Sequence, residues 1–295
     1  MKRILLTGAS GFLGSYFCHL YADQYDIQAI YNDNPVQNKH VNSHKVDLSD
    51  FQGLESLFKK IKPDEVVHLA ALSDPNYCEI NPLESEKINI EVSENIAGLC
   101  KEAKIPFLFT STDLVFDGKN APYKESDVPA PVSIYGLHKS IAEQSILDIY
   151  PMATVCRLPL MFGKSYSAKE GILQYMLTKM ASGETLNLFT DEYRTFASVR
   201  DICNGIMTCL EYEGDVFHLG GSERMSRYDF GLLVCDVFGF DKSLLIKSKQ
   251  KEVKMAAARP KDVSMINARA TGIGWNPGNI RNELSLIKKE MEAGL

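Results

Sequence analysis

Through the first half of the chain, short apolar runs alternate with segments whose apolar side chains return every three to four positions. The runs 4–7, 27–31, 66–69, 107–110 and 153–157 predict strands, and the segments 12–22, 51–61, 84–101 and 135–149 between them predict helices. Strand and helix alternating at this spacing predict a parallel sheet with helices on both faces, a doubly wound α/β domain. Past about residue 158 the alternation becomes irregular. Gly163, Gly220, Gly221, Pro260 and Pro277 interrupt it, which predicts a smaller, loop-rich region built over the strand ends. The expected division is 1–158 for the sheet domain and 159–295 for the smaller region, with about 197–221 returning to the sheet domain.

Directly after the first predicted strand comes Thr7-Gly8-Ala9-Ser10-Gly11-Phe12-Leu13-Gly14, a G-x-x-G-x-x-G loop that runs straight into a helix. One glycine permits the tight turn, one lets the backbone approach a pyrophosphate, and one allows close helix–sheet packing; the phosphates then rest on the amides at the helix N-terminus. A three-glycine loop alone is often only a turn. Its position between an N-terminal strand and a helix makes this one a dinucleotide site of a Rossmann-type domain, with Gly8, Gly11, Phe12, Leu13 and Gly14 as cofactor residues. At the end of the second strand, where a carboxylate would bind the ribose of NAD and repel the phosphate of NADP, the chain has Asn32. Asp33 follows it, and no arginine adjoins it.

Composition narrows the partners. Hydrophobic residues make up 45% and charged residues 24% of the 295, the balance of a packed globular protein, and the formal net charge is -6. No block of Lys or Arg offers a nucleic-acid footprint. No apolar run approaches the ~20 residues of a membrane span, and Ile4, Leu5 and Leu6 are too few for a targeting segment, so the expectation is a cytoplasmic protein with neither nucleic acid nor membrane as partner. The seven cysteines are scattered without metal or redox spacing and the six histidines form no ligand cluster, so no metal is expected.

Tyr135 and Lys139 stand at i and i+4, on one face of the fourth predicted helix. Reduction of a ketone requires a proton for the developing alkoxide, and a tyrosine of reference pKa about 10 handles that proton near neutrality only with a cation beside it. Lys139 is placed to be that cation. Y-x-x-x-K by itself is common on solvated helix faces. It gains weight from Thr112 and Asp113, which follow the fourth strand where parallel sheets place ligands, with Thr112 able to hydrogen-bond the reacting oxygen.

With these residues in view, the chain resembles the extended short-chain dehydrogenase/reductases, and within them the dTDP-4-dehydrorhamnose reductases, over nearly its whole length. The matching residues are the glycine loop; Asp47 and Leu48; Leu69-Ala70-Ala71; the run from Ser111 through Thr112-Asp113-Leu114-Val115-Phe116-Asp117-Gly118; Pro122-Tyr123-Lys124-Glu125 with Pro129 and Pro131; and Tyr135 to Lys139. The resemblance implies a nicotinamide cofactor, NADP or NAD with NADPH slightly favoured. It sets Asp47 and Leu48 beside the adenine, Leu69, Ala70, Ala71 and Thr110 along the cofactor groove, and Thr112, Tyr135 and Lys139 as the catalytic triad, Lys139 also holding the nicotinamide ribose. Asp113, Arg194 and Arg259 would contact a nucleotide-activated sugar, and a homodimer is compatible with such a chain. The implied activity is reduction of a 4-keto nucleotide-activated deoxysugar. Alternatives on the same resemblance are an epimerase and an NADP-binding regulatory subunit like that of methionine adenosyltransferase. Where rhamnose-type reductases carry a tryptophan, this chain has Leu160, and its only tryptophan is Trp275.

Because Asn32 neither repels a 2'-phosphate nor binds the ribose diol as a carboxylate would, NADP and NAD affinities should differ by less than about a hundredfold. Calorimetric titration with both nucleotides checks this; a larger gap would mean that another residue reads the ribose.

Overall fold

Strands buried on both faces need no alternation of polar and apolar residues, and the uninterrupted apolar runs form the centre of one seven-stranded sheet. The protein is described here by a computed structural model covering residues 1–293. Its strands are β1 (Arg3–Thr7), β2 (Asp26–Tyr31), β3 (Asn42–Lys45), β4 (Glu65–His68), β5 (Phe107–Thr112), β6 (Thr154–Leu158), β7 (Met161–Phe162), β8 (Leu186–Phe189), β9 (Tyr193–Arg194), β10 (Ala197–Ser198), β11 (Val216–His218), β12 (Met225–Ser226) and β13 (Leu245–Ser248). Its α-helices are α1 (Phe12–Tyr21), α2 (Phe51–Ile61), α3 (Pro75–Ile80), α4 (Pro82–Glu86), α5 (Val92–Ala103), α6 (Ile134–Ile149), α7 (Ile172–Ala181), α8 (Val199–Cys209), α9 (Arg227–Phe238), α10 (Ala268–Gly272) and α11 (Ile280–Glu292).

The main sheet runs β11-β6-β5-β4-β1-β2-β3, and every pairing in it is parallel. From β1 the chain winds outward to β2 and β3, then crosses back to β4 on the other side of β1 and winds the opposite way. Neighbouring connections therefore leave on opposite faces, and a crevice opens beyond the carboxyl ends of β1 and β4. This is the doubly wound, Rossmann-type fold expected from the pattern.

One face of the sheet is covered by α1 and α8, with Phe17, Ile202, Ile206 and Phe217 in the contact; the other is covered by α2, α5 and α6 through Leu54, Ile96, Ala142 and Ile146. A separate core over the carboxyl ends joins α7, α9 and α11 around Phe162, Met176, Phe196, Phe230 and Leu284. There the rings of Phe196 and Phe230 stack at 4.5 Å. The segment 197–221 supplies β10, α8 and β11, and through α8 and β11 it packs on the main sheet rather than on this second core.

Two elements differ from the sequence pattern. The edge strand β3 reads Asn-Ser-His-Lys and has no apolar signal; it forms because β2 offers a free edge, with His44 Nε2 2.8 Å from Gln28 Oε1 helping to fix its register. The helix expected over 84–101 is built from α4 and α5 joined through a π-helical turn, Lys87–Glu91, that inserts one residue and turns Asn89 into the interior. Among the described residues no helix is long and apolar enough to cross a membrane, and all seven cysteines are buried and unpaired.

His68 and His218 lie inside the sheet domain, and burial holds each well below the usual imidazole value, at about 3. In the unfolded chain each protonates near 6.5, so the unfolded state gains protons that the folded state refuses, and stability falls as the pH drops from about 6.5 toward 3. At pH 5 the loss is about 2 kcal/mol for each. The melting temperature should therefore fall between pH 7 and pH 5, and His218→Gln, which keeps an acceptor but does not titrate, should shrink that fall in calorimetric scans.

Candidate active site

The glycine loop closes on itself and on the end of β4. Gly11 donates its N–H to Gly8 O at 3.0 Å. Gly8 has φ of +68°, and a Cβ there would lie 2.6 Å from the backbone nitrogen of Ala70. At Gly14 a Cβ would lie 2.2 Å from Gly8 O, so only glycine lets α1 start this close to the turn. No side chain caps α1, and its first turn carries no acidic residue. Its leading amides are thus free for an anion.

Those amides border a cleft of about 620 Å³ that crosses the carboxyl ends of the strands. At one end it is lined by Asn32, Asp33, Asp47 and Leu48, along its middle by Leu69, Ala70 and Ala71, and at the other end by Thr110, Thr112, Tyr135 and Lys139. Gly8, Gly11, Phe12, Leu13 and Gly14 form its floor. All the residues expected at the cofactor thus meet on one surface. The loop that a Cβ would fill, the free helix start and the elongated shape fit a dinucleotide.

At the far end, α6 is started by Ser133, whose Oγ accepts from Gly136 N at 3.3 Å. Gly136 lets the helix touch the turn after β5, because a Cβ there would lie 2.2 Å from Leu114 O. This contact brings Tyr135 beside Thr112. Tyr135 packs with Cys78 and Leu114, and burial pushes its hydroxyl well above the usual tyrosine value; Cys78 and Asp113 add to the rise, while Thr112 and Arg194 oppose it. The phenol is therefore protonated at neutral pH. One turn on, Lys139 is buried with Nζ 3.9 Å from the centre of the Phe109 ring, and burial pulls its ammonium down to about 7 against the attraction of Glu143.

Behind the cleft runs a chain of hydrogen bonds that the sequence did not announce. Ser93 gives its hydroxyl proton to Asn89 O at 2.9 Å, so the Ser93 oxygen accepts from His68 Nε2 at 3.0 Å. His68 Nδ1 then accepts from the Thr7 hydroxyl at 2.6 Å, and Thr7 Oγ1 accepts from Ala70 N at 3.2 Å. Asn89 clamps both backbone groups of Leu72, Oδ1 accepting from Leu72 N at 3.0 Å and Nδ2 donating to Leu72 O at 3.1 Å. No motif marks Thr7, His68, Asn89 or Ser93, since each lies within a run already accounted for by strand or helix.

The residues expected at the sugar are not all brought to the cleft. Thr112 lines it, whereas Asp113 and Arg194 are buried against each other, Arg194 donating from NH1 to Asp113 Oδ1 at 2.6 Å and from Nε to Glu192 Oε1 at 3.2 Å. A guanidinium held by two carboxylates inside the protein is an internal ion pair rather than a free anion receptor. Arg259 is half-buried near Glu192, Arg194 and Arg227 and does not line the cleft. Trp275 is buried in the core under α8 and does not line the cleft, with Nε1 donating to Asp201 O at 2.9 Å, and Leu160 packs toward the second core.

A glycine turn at the switch point of a parallel sheet, with threonine, tyrosine and lysine across the cleft from it, is the arrangement of a short-chain dehydrogenase/reductase-type protein. The chain belongs to the family described as the RmlD substrate binding domain, whose model matches residues 1–292. It is 28% identical over 293 residues to the probable low-salt glycan biosynthesis reductase Agl14 of Haloferax volcanii, covering 96% of each chain. It is 26% identical to methionine adenosyltransferase 2 subunit beta of Rattus norvegicus, covering 92% of this chain and 83% of that one. Among solved structures, dTDP-4-dehydrorhamnose reductase from Bacillus anthracis in complex with NADP superposes with a TM-score of 0.87 over 98% of this chain and 100% of that one, at 22% identity, a likeness of fold.

Thr7→Val keeps the shape of the side chain but strands the Ala70 amide and His68 Nδ1. Chemical denaturation should show a loss of about 2 kcal/mol, the cost of unmade buried hydrogen bonds. An unchanged midpoint would mean that water replaces the hydroxyl.

Proposed function

We propose that this protein is an NADPH- or NADH-dependent reductase of a 4-keto nucleotide-activated deoxysugar. The observation that carries the reading is the grouping of Thr112, Tyr135 and Lys139 on the wall of the cleft that the glycine turn opens. The amides of 12–14 would hold the pyrophosphate, Asn32 and Asp47 the adenosine half, and Lys139 the nicotinamide ribose. A bound nicotinamide supplies the hydride.

The chain's own part is to deliver a proton and orient the carbonyl. Tyr135 is buried and protonated, so its O–H is in the state that donates to an oxygen as negative charge builds there. Thr112 stands at the end of β5 to hydrogen-bond the same oxygen. The sugar would lie toward the region 159–295, where Pro159 and Met161 already border the cleft. The reductase relative Agl14 and the dehydrorhamnose reductase neighbour support a sugar-linked ketone as substrate.

The methionine adenosyltransferase relatives favour a second reading, a subunit that binds the cofactor without turnover. Dehydration of the hexose is disfavoured: Leu114, buried at 6% exposure where elimination would require an acid, carries no proton. The discriminating experiment follows absorbance at the reduced-nicotinamide band while NADPH or NADH is mixed with nucleotide-linked 4-keto-sugars. Stoichiometric oxidation supports the reductase; binding without oxidation supports the regulatory subunit; an unchanged cofactor with inverted sugar supports an epimerase.

Tyr135→Phe should lower kcat by about a hundredfold or more, the weight of general acid catalysis, with cofactor affinity little changed. Near-parental turnover in stopped-flow assays would take Tyr135 out of the mechanism.

A further inference from the structure

Glu143 stands one turn beyond Lys139 on α6, the spacing that sets two side chains side by side on one helix face. A buried carboxylate beside a buried ammonium is a strong partner for it. Glu143 is instead committed elsewhere: its Oε1 and Oε2 accept from Arg157 Nε at 3.0 and 3.1 Å, and Oε2 accepts from Arg157 NH2 at 2.7 Å. Arg157, on β6, is fixed from its other side, where NH1 donates to Glu125 O at 3.5 Å and to His218 Nε2 at 3.4 Å. His218 is an acceptor there because its Nδ1–H faces Ile266 O at 3.2 Å. Arg157 and Glu143 are 4% exposed each, so neither has water as an alternative partner.

We propose that Arg157 is a positioning residue: by occupying both oxygens of Glu143 it keeps that carboxylate from capturing Lys139, and so keeps the lysine side chain in the wall of the cleft. The groups around the lysine are then Tyr135 and Glu143 on α6, neutral His68 on β4, the Phe109 ring on β5, and Arg157 on β6 behind Glu143. With Arg157 present, the attraction of Glu143 does not outweigh burial, which holds the ammonium down at about 7. Freed of Arg157, Glu143 would bond the ammonium, hold its proton to much higher pH and draw Nζ along the helix away from Tyr135. The consequence for turnover rests on the proposed reductase function; the position and proton affinity of the lysine do not.

The test uses the full chain, labelled at lysine 13Cε and free of cofactor, with the Lys139 resonance assigned by its loss in Lys139→Met. The parent should titrate near 7. Glu143→Gln removes the attraction and leaves the arginine charge, so the midpoint should drop by about one pH unit. Arg157→Met should raise it by about two units or more, toward the reference lysine value of about 10.4. The double variant Glu143→Gln/Arg157→Met, with neither charge, should return to within about half a unit of the parent. Arg157→Met titrating with the parent, or the double variant retaining the rise, overturns the proposal. Should Arg157→Met fail to fold, Arg157→Gln, which cannot hold both oxygens of Glu143, decides: a raised Lys139 midpoint upholds the proposal, and a midpoint equal to the parent's overturns it. NADPH titration of the same proteins should show about tenfold or more weaker binding in Arg157→Met, recovered in the double variant. Absence of NADPH binding in all of them, the parent included, counts against the proposed function and leaves the resonance titration to judge Arg157.

Discussion

The close approach of β1 to β4 at the switch point governs the rest of the molecule. Gly8 turns in a left-handed conformation against the backbone of Ala70, and Thr7 Oγ1 joins the Ala70 amide to His68. Any side chain at Gly8 would force the two strand ends apart, and with them the start of α1 and the 69–72 segment that together border the cleft. The bond series continues through Ser93 into the π-helical turn, where Asn89 fixes both backbone groups of Leu72. One tight contact thus sets the width of the groove along its length, and the hydrogen-bonded polar atoms behind it leave little freedom to widen.

Around that groove the protein handles charge by pairing it. Arg157 with Glu143, and Arg194 with Asp113 and Glu192, are buried ion pairs, and Glu192 is shared with Arg227. Such pairs add little net stability compared with apolar packing, but removing one partner leaves an uncompensated buried charge at a cost of about 3–5 kcal/mol. They therefore act as fixed points. Asp113 is held at the end of β5 directly after Thr112, and Glu143 is held one turn after Lys139, so the two charged frameworks bracket the Thr112, Tyr135 and Lys139 group from both sides. The same low-dielectric surroundings raise the proton affinity of Tyr135 and lower that of Lys139, which favours an uncharged phenol and a lysine that changes charge near neutrality.

The sequence by itself determined the sheet and its ligand edge. The apolar runs of β1, β2, β4, β5 and β6 are legible because a strand covered on both faces needs no alternation of polar positions, and the glycine spacing is legible because at 8 and 14 no other residue fits a turn that close. Tyr135 and Lys139 could be paired from their spacing because helix geometry alone puts i and i+4 on one face. Tertiary structure alone decided the rest. The polar edge strand β3 forms only against β2, since an exposed edge carries no hydrophobic code. Asn89 reaches Leu72 only because one extra residue in a π-turn rotates it inward. Arg194, whose place in the chain suggests a receptor for a sugar diphosphate, folds against Asp113, 81 positions away, and Arg157 meets Glu143 and His218 across three different elements. Partners of that kind are chosen by which side chains the packed sheet brings within reach of a buried charge, and sequence spacing holds no record of those distances.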